Sequence, residues 1–197
     1  MIAKEVKGES CMKSKNKQSR ILKPIFLFVL VITFVILSGC MTKPEVLKVN
    51  PEIYEIEWKG WQAKPVTTFA VLEGNISEVK RNFVDMLRKN ESREYIFSAD
   101  DELNFAISRG VFGITGPEII IDKVERQGNV FTVYASYMDW RSDLPMLVHP
   151  GAIIPIGKLL PGDYKARLKV IRYSDHERKN LTEPEKELSV INFKVEK

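Results

Sequence analysis

Few side chains in this sequence are spaced for chemistry. It has two histidines: His149 precedes Pro150-Gly151, and His176 sits in Asp-His-Glu-Arg, so both read as connections between elements. A Ser-His-Asp site needs its nucleophile on a strained turn with a base in reach. No Gly-x-Ser-x-Gly elbow occurs, and no catalytic residue is assigned. Asp100-Asp101-Glu102 offers hard oxygen ligands, but without the alternating spacing of a calcium loop it reads as a solvated turn or cap. Gly110 to Gly116 would cradle a phosphate only if a Lys-Ser/Thr pair and a helix start followed. Neither does, so no metal or cofactor is expected. The remaining candidates are aromatic: Trp58, Trp61, Tyr134, Tyr137 and Trp140. Trp61 and Trp140 fall at element ends, which makes them the pair expected to be exposed to a sugar or peptide.

The elements that must position these residues are mostly strands. Ile53 to Trp58 alternates, with Tyr54, Ile56 and Trp58 on one face, and Val66 to Leu72 is a second β-rich run. A helix is expected from about Ile76 to Lys89, because Ile76, Val79, Phe83, Met86 and Leu87 recur on one face. Asn75 suits its N-cap, with Glu78 completing a capping box. Strands follow at Tyr95–Ser98, Asn104–Ser108, Glu118–Arg126 and Asn129–Asp139, the last two joined by a tight hairpin at Gln127-Gly128. Both faces of Asn129–Asp139 are apolar, which predicts a central strand. Trp140 to Pro155 reads as a loop region, Ala166 to Tyr173 as a strand, Ser174 to Pro184 as a polar loop, and Glu187 to Val195 as the last strand. The expected fold is mainly β: a sandwich or strongly curved antiparallel sheet with one amphipathic helix.

Charge divides the 197-residue chain unevenly. Residues 1–39 hold seven bases and two acids, a net of +5, and the other 158 hold 23 bases and 24 acids, a net of −1. The basic stretch precedes Ile25 to Leu37, in which Thr33 is the only polar residue, and then Leu37-Ser38-Gly39-Cys40. This is the layout of a secretory signal peptide, and the apolar run is short for a membrane span. Met12, followed by Lys-Ser-Lys-Asn-Lys, makes a more typical signal-peptide start than Met1. The Leu-Ser-Gly-Cys ending resembles the lipobox of bacterial lipoproteins. The resemblance implies cleavage between Gly39 and Cys40, and a diacylglyceryl group on the Cys40 thiol with further acylation of its amino group. Two or three chains hold a protein firmly in a bilayer where one does not.

Three regions are therefore expected: a removed signal peptide at 1–39, lipidated Cys40 with a tether to residue 52, and one extracytoplasmic β-rich domain at 53–197. With Cys11 discarded and Cys40 lipidated, the domain would have no thiol for disulfides, zinc or nucleophilic catalysis. A net of −1 gives no reason to expect a nucleic-acid partner. Location in the cell membrane or an outer membrane is left open.

Two further resemblances add alternatives. Leu160-Pro-Gly-Asp-Tyr164 and the strand after it resemble the tyrosine corner of immunoglobulin-like sandwiches. Residues Phe105 to Tyr137, with Gly110 and Thr115-Gly116, are similar to the C-terminal domain of accessory subunits of bacterial surface protease complexes. That domain favours Thr-Gly-Gly-Tyr where this chain has Thr115-Gly116-Pro117-Glu118. The leading expectation is a lipid-anchored, non-enzymatic binding module with a protein or cell-wall partner. The alternatives are an accessory or inhibitory protease subunit, touching its enzyme through Gly110–Pro117 or Trp140–Pro150, and an envelope-polymer-modifying enzyme using Asp100, Asp101 or Asp139.

Overall fold

A computed structural model describes residues 43–57, 66–89, 94–110, 118–139 and 148–197. In chain order these form β1 (Glu45–Leu47), β2 (Glu52–Glu57), β3 (Thr68–Glu73), α1 (Ile76–Lys89), β4 (Ile96–Ser98), β5 (Leu103–Ser108), β6 (Glu118–Gln127), β7 (Val130–Met138), β8 (Val148–Gly157), β9 (Gly162–Tyr173) and β10 (Leu181–Glu196). They make two sheets, one of six strands ordered β1-β6-β7-β9-β10-β4 and one of four ordered β2-β8-β5-β3. This is the expected mainly β, sandwich-like fold with an amphipathic helix. The larger sheet is mixed, because β7 pairs with β9 and β4 with β10 in parallel.

Alternation explains the layering. Phe105 and Phe69 of the smaller sheet point inward to meet Phe131 and Phe193 of the larger one, with centroids 5.6 Å apart for Phe69–Phe105, 5.4 Å for Phe105–Phe131 and 6.5 Å for Phe105–Phe193. The opposite face of the smaller sheet carries Tyr54, Ala70, Leu72, Ala106 and Ile153, and α1 covers it with Val79 and Phe83. The helix starts as its cap residues require: the Glu78 amide donates to Asn75 Oδ1 at 3.1 Å, and the Asn75 amide donates to Glu78 Oε2 at 3.3 Å. Strand β7 is interior in its sheet, as its two apolar faces predict. The hairpin turn before it is Gly128-Asn129, with Gly128 at φ 59°, a conformation glycine adopts without steric cost. The Tyr164 hydroxyl donates to the Leu160 carbonyl at 2.7 Å, tying the start of β9 to the turn before it.

Three segments depart from the sequence reading. Residues 45–47, expected in the tether, form β1 on β6, with Leu47 and Val49 packed on the core. Prolines 44 and 51 bracket a strand too short for periodicity to register. Residues 148–155, expected in a loop, belong to β8 between β2 and β5. Its prolines sit where a missing amide does least harm: Pro150 lies one residue past the last β5 pairing, Ser108↔Gly151, and Pro155 lies at a register shift. Strand β10 begins at Leu181, six residues earlier than expected. Its outer edge is met by β4 only at 194–196, so Pro184 and three bulges occupy an edge that they protect from pairing with other chains.

Glycine matters most at 151. It faces Tyr54 directly across the β2–β8 pair, and a Cβ there would lie 2.6 Å from the Tyr54 ring. The ring therefore lies against bare backbone. Its hydroxyl is buried with no hydrogen-bond partner, and burial, then Glu52, raise its pKa. Gly151→Ala is expected to destabilise the protein by about 1–3 kcal/mol through overpacking. Tyr54→Phe, which removes only the unpartnered hydroxyl, should be neutral or stabilising. Denaturant titration of both variants checks this, and a large loss in Tyr54→Phe would contradict it.

Candidate functional site

The polar groups inside the sandwich gather where β5 ends, at Ser108-Arg109-Gly110. Strand alternation sends Ser108 to the helix side of the sheet and Arg109 into the interior between the sheets. Arg109 is 2% exposed, and a buried guanidinium is tolerated only when its donors are taken. One nitrogen, Nη1, donates to the Glu118 carbonyl at 2.6 Å and to the Met138 carbonyl at 2.9 Å. Those residues form the terminal rung of the β6–β7 ladder. Nη2 bonds and ion-pairs with Asp139, and the guanidinium carbon lies 4.4 Å from the Tyr137 ring centroid. Arg172 approaches the other Asp139 oxygen at 3.7 Å. Burial lowers the Arg109 pKa, and Asp139 opposes that by raising it. One side chain of the smaller sheet thus closes the open end of a hairpin in the larger one.

On the other face, His149 Nε2 bonds to Ser108 Oγ, which also accepts the Gly110 amide at 3.0 Å. His149 stands on β8, buried at 3% exposure, and not in the expected loop. Burial pushes its pKa down to about 4, so it is neutral at physiological pH. A serine hydroxyl against a neutral imidazole is the contact of an activated nucleophile. Ser108 is 1% exposed, and the pair ties β5 to β8.

The sequence candidates are placed unevenly. Cys40, Gly39, Trp58, Trp61, Trp140 and most of Gly110–Pro117 and Trp140–Pro150 lie outside the described residues. Asp101 closes the β4–β5 turn by accepting the Ser98 amide at 2.7 Å. Asp139 bonds Arg109 at the far end of β5, so six strand residues, about 20 Å, separate it from Asp100 and Asp101. The structure does not bring these carboxylates together. Among the described residues no group of three or more His, Cys, Asp or Glu could hold a metal ion. No described helix is long and apolar enough to cross a membrane. Arg109 and Ser108 were not among the sequence candidates; the available signal was a cation and a hydroxyl closing an otherwise apolar strand just before a glycine.

The strand ends that flank residues 58–65, 111–117 and 140–147 lie at this same end. Register fixes this: Thr68, Ser108 and Gly151 lie side by side, Ile56 pairs with His149, and Glu118 pairs with Met138. No protein-family model matches the chain, and searches of curated proteins and of solved structures return no match either.

His149 gives this end a pH signature. Its folded-state pKa lies below the unfolded value of 6.5, so the unfolded chain binds the proton first and stability falls as pH drops from about 6.5 towards 4. The loss is bounded by about 3 kcal/mol. Thermal midpoints across that window should fall more steeply for the wild type than for His149→Gln. Parallel profiles would contradict the assignment.

Proposed function

We propose that this chain is a lipid-anchored cell-envelope protein, held at the membrane through Cys40, whose β-sandwich is a non-enzymatic module binding a protein or cell-wall partner. The observation that carries this reading is that the strand ends flanking Trp61, Trp140 and the Gly110–Pro117 segment lie together at the Arg109 end. Sandwich domains commonly bind through connections clustered at one end, because a rigid scaffold lets short loops vary. The anchor reading rests on Leu37-Ser38-Gly39-Cys40 and its upstream apolar run.

Glu45 is five residues from Cys40, a reach of at most about 18 Å. It pairs with Arg126, close to the Gly128-Asn129 hairpin and at the opposite end of β6 from Glu118. A lipid on Cys40 would therefore tether the domain by a chain of that length from β1. The alternative of an accessory or inhibitory protease subunit would use Gly110–Pro117 or Trp140–Pro150 as its contact. In that case deleting the protein changes surface proteolysis, whereas a cell-wall or other protein partner leaves it unchanged.

Labelling cells with a palmitate analogue is expected to mark the wild type and not Cys40→Ala; retained label would refute the anchor. Cross-linking and pull-down from membranes should recover a partner that is depleted in the Trp61→Ala/Trp140→Ala double variant. Recovery of the monomer alone would count against the binding reading.

A further inference from the structure

A groove of about 570 Å³ lies on the larger sheet at the hairpin end, away from Arg109, within the size range of small-molecule sites. Register places its walls. Val130, Lys165 and Asn192 form one row across β7, β9 and β10, and Asp163, Lys194 and Ile96 form the next across β9, β10 and β4. Residues 131, 166 and 191 point into the core, so both rows face outward. Ile96, 48% exposed, and half-buried Val130 supply an apolar side, and Glu94 stands at the rim.

The polar groups here differ from those on the rest of the face. Along β9, Arg167 meets Glu187, Lys169 meets Glu185, and Arg172 meets Asp139 and Glu183. Lys165, in the same series, meets no carboxylate among the described residues. The Asn192 amide and the Glu94 carboxylate likewise have no partner among the described residues, while the Asp163 carboxylate lies near the Lys194 ammonium and the Asp163 carbonyl accepts the Asn129 side-chain amide at 3.0 Å. Lys194 itself pairs with Glu196. The groove thus gathers two carboxylates and two ammonium groups, net neutral, with free donors and acceptors beside apolar carbon.

We infer that this groove binds a neutral oligosaccharide. Each sugar hydroxyl both donates and accepts, which suits uncommitted carboxylate, amide and ammonium groups side by side, and the C–H face of a pyranose suits Ile96 and Val130. An anionic polymer or phosphate group gains nothing from a site of zero net charge. An extended peptide pairs best with a strand edge, whereas the uncommitted groups Lys165 and Asn192 stand on the sheet face, on the interior strands β9 and β10. The inference gives the cell-wall side of the proposed function a chemistry, and rests on that reading only for where the protein meets glycan.

The test is calorimetric titration of the full chain, in a zwitterionic detergent with no sugar head group, with cellotetraose, chitotetraose, maltotetraose and tetra-alanine. Saturable binding of at least one oligosaccharide is expected. Asn192→Leu and Lys165→Met should each weaken it about tenfold, the loss of one or two hydrogen bonds, with an unchanged melting temperature. Absence of oligosaccharide binding, binding of tetra-alanine alone, or affinity that survives both substitutions would overturn the inference. None of these outcomes depends on Cys40, so a failed anchor and a failed groove are told apart.

Discussion

A guanidinium inside a β-sandwich must find its partners within the fold, and Arg109 finds them in the opposite sheet. Its bonds to the Glu118 and Met138 carbonyls and to Asp139 draw the end of β5 against the first rung of β6–β7. Apolar contacts such as Phe105–Phe131 hold the sheets face to face, but such packing tolerates sliding more readily than a directional charge-assisted bond does. Arg109 therefore fixes how the two sheets align at this end. Everything that departs from the end, including the strand ends flanking Trp61 and Trp140, inherits that alignment.

The molecule is polar along its strands. At the Arg109 end, buried groups are spent on one another: Ser108 on His149 and Gly110, Arg109 on Asp139 and two carbonyls. At the hairpin end, Lys165, Asn192 and Glu94 have no such partner among the described residues. The first arrangement is one of rigidity and the second one of availability, which is why the proposed ligand chemistry is placed at the groove.

The parts of this fold legible in the sequence are those with local causes. The α1 cap depends on two residues three apart, and the buried stripe of the helix follows from its period. The β6–β7 hairpin is likewise written within a few residues. Strand β8 was hidden because Pro150, Gly151 and Pro155 read as loop residues; only the neighbours β2 and β5, distant in sequence, make tolerable places for them. Strand β1 has three residues and no pattern of its own. The role of Arg109 depends on carbonyls 9 and 29 residues away, and nothing in its own surroundings announces it. His149 was legible as an isolated histidine, but its burial against Ser108 required the β5–β8 register.

The most direct measurement is a double-mutant cycle on Arg109 and Asp139, with unfolding free energies of the wild type, Arg109→Met, Asp139→Asn and the double variant from denaturant titration. If Arg109 locks the sheets through this pair, the coupling energy should exceed about 1.5 kcal/mol, as for other close, desolvated charge pairs. Strictly additive losses would contradict the account and leave apolar packing alone to align the two sheets.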